Sequence, residues 1–476
     1  MSGPAYGRLA AAADAATVSA TAAAVVLALA GGFREAVGGD VISIEWSHAA
    51  FAALAIAAVR HAALPRPSIL ETLRAWRRSL SARPALRDAA VAFCLTRPTV
   101  VVVGLLATVT IGVAPAAREA LESRDPIRVL PARWDAQWYA GIAADGYEWR
   151  RSFHSQQNLA FFPAYPLLIR AAGAATGAFR TGVPPDRRMA RLTWCGLTIS
   201  LAAFLWAAWY FARIARPMLG ETRGLAALLL LSAYPFAIFY SAAYTESLYL
   251  LGALGAWFHF RRGQTAPAVA WGLLTGLTRP NGCFLSIPLG LLALGARDLP
   301  AGQGGEDVAG LRRPLVWRLA VAATPGVGML LFTLYAYQLT GVWFAWSKTH
   351  AAWGREMGSG SPLSGLAAAG NAGLLGLLIA HPYDVLNGLA LAYVLWSVRA
   401  IWRLSPAWAA FVLVSVAVPF SAGGLLSMGR ITSTLFPVFL ASAAVLPAGT
   451  LAGLTAMFGV LQGLLAALFY TWRDVY

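Results

Sequence analysis

Long apolar runs separated by short polar clusters set the pattern of this chain. Val100–Val113, Leu197–Phe211, Leu225–Ile238, Leu319–Leu334 and Phe436–Leu446 are nearly free of charge. An α-helix rises about 1.5 Å per residue, so ~20 such residues cross the hydrocarbon core of a bilayer. The pattern predicts an all-α integral membrane protein. Threading the runs between their polar anchors gives a multi-pass bundle of about 11–13 transmembrane helices. Two short spans come first, near 17–31 and 48–63, and the rest begin near residue 98. Residues 1–97 therefore read as a two-helix extension with a basic linker, and 98–476 as the main transmembrane domain.

Composition sharpens this picture. Of 476 residues, 58% are hydrophobic and 12% charged, where a soluble domain carries about 25% charged residues. The 46 glycines and 26 prolines suit membrane bundles, in which small residues allow close helix contact and neighbours satisfy freed backbone groups. The formal net charge of +16 would suggest nucleic acid in a soluble protein. Here the arginines flank apolar runs and read as topogenic charges that contact anionic headgroups, so no nucleic-acid partner is expected. Cys94, Cys195 and Cys283 all lie in apolar segments, which predicts neither a disulfide nor a metal framework. The first apolar run, Thr17–Leu29, has no convincing cleavage site after it and reads as a retained helix.

The arginines also predict topology. Arg60–Arg97 carries eight of them, at 60, 66, 74, 77, 78, 83, 87 and 97, against Glu71 and Asp88, which marks it as cytoplasmic. Further basic clusters at 213–216, 261–262, 297–318 and 399–403 mark later cytoplasmic ends. Segments 115–189, 240–246, 340–384 and 421–430 then fall on the outer face. Within the first, Leu159–Gly177 is apolar but interrupted by Pro163 and Pro166, and reads as a surface helix rather than a span. Gly302–Gly310 reads as a cytoplasmic linker.

Candidate chemistry lies in the outer loops. The first holds Arg133-Trp134-Asp135-Ala136-Gln137-Trp138-Tyr139, then Asp145-Gly146-Tyr147, then Asn158-Leu159-Ala160-Phe161-Phe162-Pro163-Ala164-Tyr165-Pro166. An acid flanked by Trp and Tyr beyond a span suits a sugar, since aromatic faces pack on pyranose C–H surfaces and a carboxylate accepts from hydroxyls. An interfacial aromatic belt, with Asp135 paired to Arg133, is the structural alternative.

These two runs resemble the PIG-V family of mannosyltransferases, within the GT-C superfamily of polyprenyl-phosphate-sugar-dependent glycosyltransferases. Three later segments fit the resemblance: Tyr244-Thr245-Glu246-Ser247, Arg279-Pro280-Asn281-Gly282, and Ser427-Met428-Gly429-Arg430. It spans roughly residues 98–450, in order. It implies a GT-C-type bundle with a large outer loop carrying surface helices. It also implies transfer of a sugar, mannose in the family, from a polyprenyl-phosphate donor to a glycan, lipid or protein acceptor. One departure is notable: the family's Phe-x-x-x-Gln-x-x-Trp-Gly-Arg pattern reads here with His350 near the expected glutamine, ahead of Trp353-Gly354-Arg355.

An inverting transfer needs a base on the acceptor hydroxyl and stabilisation of the departing phosphate. Asp135 is the candidate base. Arg279 and Arg430, whose guanidinium forks match phosphate oxygens, are candidate donor-phosphate ligands together with Lys348 and His350. Arg133, Trp134, Trp138, Tyr139, Asn158, Tyr165 and Glu246 are candidate sugar or acceptor contacts, although Glu246 is also placed to pair with Arg279. Asp384 reads as a helix-start cap. Asp145 and Asp135 match no compact metal motif, so no metal and no other cofactor is expected.

A transporter or lipid flippase is the competing reading. It would place ionisable residues near span midpoints and pair broken helices in two halves. In this sequence the charges read as helix-end residues, and the breaks at Pro280 and Pro288 have no symmetric partner. A non-catalytic subunit of the same fold is the third reading, against which Asp135 stands. The alanine-, arginine- and tryptophan-rich composition fits a GC-rich bacterial genome, hence an inner (plasma) membrane location with the site facing outward.

Overall fold

The computed structural model describes residues 4–30, 33–37, 40–44, 46–63, 82–118, 125–296, 313–355 and 381–475, with a few isolated positions between them. The chain divides into two compact units, Met1–Arg87 and Asp88–Tyr476.

In the first unit, helices Pro4–Ala30 and Trp46–Ala63 are joined by an antiparallel hairpin of Phe33–Val37 and Asp40–Ile44, an element absent from the all-helical expectation. The two helices are tied by a bidentate pair, Arg60 to Asp14 at 2.6 and 2.9 Å, with both side chains only 1% exposed. Arg60 is thus a buried cross-link within this unit and not the exposed topogenic charge that its sequence neighbourhood suggests.

The second unit is an α-helical membrane bundle. Among the described residues, five helices are long and apolar enough to cross a membrane: Pro84–Thr110, Pro185–Ala233, Pro382–Leu404, Pro406–Gly423 and Ala448–Tyr470. The pair Leu315–Ala322 and Thr324–Thr340, bent by 47°, adds a sixth if counted as one span. Pro185–Ala233 breaks at Gly220, whose φ of 79° a side chain would oppose. The expected surface segment forms helix Ala164–Ala175, 12 residues long and too short to span.

Helix Pro84–Thr110 corrects one expectation. The polar segment read as ending at Arg97 gives way to helix at Pro84, which takes Arg97 inside a candidate span, fully buried. Its guanidinium donates to the carbonyls of Ala237 and Ser232 (2.5 Å to the latter), to Ser241 Oγ at 3.3 Å and to Gln462 Oε1 at 3.4 Å. A buried charge stays where several acceptors meet it, and these come from up to 365 positions away. Asp88, one residue past the unit boundary, pairs with Arg216 at 2.6 Å.

Helix Glu246–Arg261 is buried along nearly its whole length and packs on Thr265–Thr278 and Pro185–Ala233. Thr265–Thr278 in turn packs on Thr324–Thr340 so tightly that a Cβ at Gly276 would overlap the Pro325 carbonyl oxygen. Thr265–Thr278 ends there because Arg279 precedes Pro280, which disfavours helical backbone at Arg279; its φ and ψ are −164° and 159°. The start of one helix and the end of the next therefore bring Glu246 and Arg279 to the same end of the bundle.

Candidate active site

The first loop is fastened before it reaches the site. Arg133, 1% exposed, donates from Nε to the Tyr470 carbonyl at 2.7 Å and from Nη1 to the Val129 carbonyl. The Trp134 indole N–H donates to the Phe469 carbonyl at 3.4 Å, and its ring lies 4.9 Å from that of Trp472. Trp134 has a φ of 50°, which turns the chain just before Asp135. Asp135 then precedes helix Ala136–Asp145 and donates its backbone N–H to Tyr244 Oη at 3.0 Å.

Asp135 begins a chain of alternating charges. Its Oδ2 accepts from Arg430 Nη1 at 2.7 Å, while Oδ1 makes no hydrogen bond among the described residues. Arg430 Nε donates to Glu246 Oε1, and the same oxygen accepts from Arg279 Nη1 at 3.0 Å. Glu246 is fully buried, and the two arginines are held over aromatic faces. The Arg430 guanidinium lies 4.5 Å from the Tyr244 ring centre and 5.3 Å from that of Phe239; Arg279 lies 5.5 Å from that of Tyr249. Arg430 reaches this position because Gly429 lets the backbone pass the Phe236 ring and donates its N–H to Asn387 Oδ1 at 2.6 Å.

A third guanidinium joins the group. Arg355 donates from Nη2 to the Leu426 carbonyl at 3.0 Å and makes no ion pair among the described residues. Burial, then the neighbouring charges of Arg430 and Arg279, push it down to about 10, with Asp135 opposing. Among the described residues, three arginines thus face two carboxylates, leaving one positive charge without a carboxylate partner.

Aromatic side chains wall this group. The Trp138 ring stacks on Phe161 at 5.7 Å and meets Trp353 edge-on at 5.9 Å. Tyr139 sits edge-on to Phe161 and Tyr165, with its hydroxyl 3.5 Å from Thr245 Oγ1. Burial pushes the Tyr139 hydroxyl up to about 12, with Arg430 opposing, so it remains a proton donor at neutral pH.

The sequence-predicted residues therefore separate. Asp135, Glu246, Arg279 and Arg430 come together, flanked by Trp138 and Tyr139. His350 lies next to Arg355 electrostatically; its Nδ1 donates to the Trp346 carbonyl at 2.7 Å, and burial pushes it down to about 4. Trp134, Asn158 and Tyr165 direct their polar atoms to the protein itself, as does Arg133 through Nε and Nη1, while its Nη2 has no partner among the described residues. Asn158 donates to the Gly146 carbonyl at 3.0 Å and accepts from the Glu148 N–H at 3.2 Å. Tyr165 Oη bonds the Gly196 carbonyl and Ser200 Oγ, both at 2.7 Å. Lys348 is exposed, with its ammonium 5.7 Å from the Phe153 ring centre. Asp145 is exposed at its helix end, and Asp384 pairs with His381 at 3.5 Å in the first turn of helix Pro382–Leu404. No three His, Cys, Asp or Glu side chains form a metal-sized group among the described residues. Arg355, Tyr244 and Trp353 join the site without having been singled out; each lies within or beside the motifs that carry the others.

Residues 127–291 match the family model described as Mannosyltransferase (PIG-V). Over that segment the chain is similar to PIG-V mannosyltransferases, which supports a membrane glycosyltransferase. The matched segment contains Asp135, Tyr244, Glu246 and Arg279, whereas Arg355 and Arg430 lie beyond it and reach the matched core through the fold. No curated protein matches the chain.

Proposed function

We propose that the enzyme transfers a sugar, mannose by its family, from a polyprenyl-phosphate carrier to an acceptor hydroxyl at the extracytoplasmic face. The observation that carries this reading is the largely buried excess, among the described residues, of guanidinium over carboxylate at Arg279, Arg355 and Arg430. Uncompensated buried charge is expensive, and a phosphate beside three arginine forks would remove that penalty while gaining bidentate hydrogen bonds. A phosphate leaves as an anion and needs cations rather than a general acid.

Asp135 is the residue to receive the acceptor proton. Arg430 holds one carboxylate oxygen and leaves the other open to a hydroxyl. Attack by that hydroxyl on C1 of the sugar forms the new glycosidic C–O bond. The bond from C1 to the phosphate oxygen breaks in the same displacement, the proton passes to Asp135, and the electron pair leaves with the phosphate. A single displacement inverts the anomeric centre. Glu246 positions the phosphate ligands, since one oxygen fixes both Arg279 and Arg430. The outer-face location is supported by the basic clusters at 213–216, 261–262, 297–318 and 399–403, read as cytoplasmic ends.

The test is donor choice. Purified protein in detergent is supplied with radiolabelled polyprenyl-phosphate-mannose or nucleotide-linked mannose, together with crude membrane acceptors. Label transfer from the polyprenyl donor alone is expected. Transfer only from the nucleotide donor, or none from several polyprenyl-phosphate sugars, would overturn the proposal.

A further inference from the structure

Beside Arg279 the fold buries polar atoms that none of the described residues satisfies. Glu246 Oε2, Tyr249 Oη and both amide atoms of Asn281, Oδ1 and Nδ2, have no hydrogen-bond partner among the described residues. Glu246 and Tyr249 are fully buried and Asn281 is 8% exposed. Native proteins leave few such groups unpaired, and each one costs free energy.

Their placement is concentrated. Glu246 and Tyr249 are three residues apart on one helix and so share a face. Arg279 binds Glu246 at 3.0 Å and lies over the Tyr249 ring at 5.5 Å. Asn281 follows two residues later, in the short 3₁₀ turn Pro280–Leu285 that packs on the Glu246 helix. The orphaned indole N–H groups of Trp257, Trp408 and Trp472, by contrast, are donors only.

The chemistry of the four atoms selects the ligand. Glu246 Oε2 and Asn281 Oδ1 accept, Asn281 Nδ2 donates, and Tyr249 Oη does either. A phosphate dianion offers acceptors alone and would be repelled by the carboxylate oxygen. A hydroxyl offers both roles, and a hexose carries several. We infer that Glu246 Oε2, Tyr249 Oη and the Asn281 amide hold the hydroxyls of the donor sugar, next to the arginines that hold its phosphate. This inference rests on the transferase reading above and makes Tyr249 and Asn281 determinants of donor-sugar recognition.

Two variants test it in the full-length enzyme. Tyr249→Phe removes one hydroxyl and keeps the ring under Arg279; Asn281→Leu removes both amide atoms at similar volume. The readouts are kcat/KM for polyprenyl-phosphate-mannose and the inhibition constant of polyprenyl phosphate without a sugar. Each variant is expected to lower kcat/KM about tenfold, the loss of a hydrogen bond or two, with the inhibition constant unchanged. Donors lacking single hydroxyls add a cross-check: one of them falls by the same factor with wild type and no further with the variant. Unchanged kcat/KM, or equal weakening of the sugar-free inhibitor, would overturn the inference and leave the transferase reading standing. If Asn281→Leu does not fold, Tyr249→Phe decides alone. Absence of wild-type turnover with every polyprenyl-phosphate sugar would overturn both.

Discussion

Glu246 and Arg430, 184 residues apart in the chain, meet in a buried ion pair that joins the start of a central helix to a late turn. Because Glu246 Oε1 also accepts from Arg279, one oxygen organises two of the three guanidiniums at the site.

Glu246→Gln keeps the side chain's shape but leaves Arg279 and Arg430 with less compensation. Breaking a buried pair by removing one partner destabilises by about 3–5 kcal/mol. The expected outcome is a lower thermal midpoint in detergent together with a raised donor KM. An unchanged midpoint would mean that the pair is not formed in the working protein.

Of the three site arginines, Arg355 has the least help from the described residues, a carbonyl being its hydrogen-bond partner there. Arg355→Gln is therefore expected to leave the thermal midpoint near wild type or above it, and to raise the donor KM by about tenfold or more, since hydrogen bonds to charged groups contribute ~1.5–3 kcal/mol. Steady-state kinetics over a donor series would show this; a lowered midpoint with unaltered KM would assign Arg355 to the fold instead.

His350 gives a pH signature. It is held at about 4 in the folded chain against an ordinary value of 6.5. As pH falls, the unfolded chain protonates near 6.5 and the folded chain only near 4, so stability is full above that upper value and declines through the window below it. Thermal midpoints measured from pH 7 to pH 4 should fall less for His350→Gln than for wild type. Parallel curves would remove His350 from this account.

Gly429 permits the approach that places Arg430. A methyl group there would overlap the Phe236 ring, and overpacking of this kind costs about 1–3 kcal/mol. Gly429→Ala should lower both turnover and the thermal midpoint, and adding Phe236→Leu should restore part of each. Failure of the second change to restore either would place the effect elsewhere.

The membrane class and the loop–helix-end site were legible because apolar runs are long and because polar residues among them stand out. Asp135, Glu246, Arg279 and Arg430 stand out in that way, and the fold brings them together. Arginines whose partners lie far away in sequence were misread. Arg60 finds Asp14, 46 positions off, and Arg97 finds acceptors up to 365 positions off; a window of sequence shows only their basic or apolar neighbours. Trp134, Asn158 and Tyr165, and the Nε and Nη1 of Arg133, carry sugar-binding chemistry in principle, but main-chain carbonyls accept from them. Which carbonyls a loop presents is set by its path, and residue type does not encode that. Arg355 differs in residue type from none of the span-flanking arginines, so the sequence alone does not mark it.

In the proposed reaction Asp135 takes the acceptor proton within this arginine cluster. The measurement is mannose transfer from radiolabelled polyprenyl-phosphate-mannose by wild type and by Asp135→Asn, which keeps size and hydrogen bonding but removes the base. Turnover by wild type and a loss of about two or more orders of magnitude in the variant are expected, with the thermal midpoint of both proteins recorded alongside. Equal turnover by the two would contradict it.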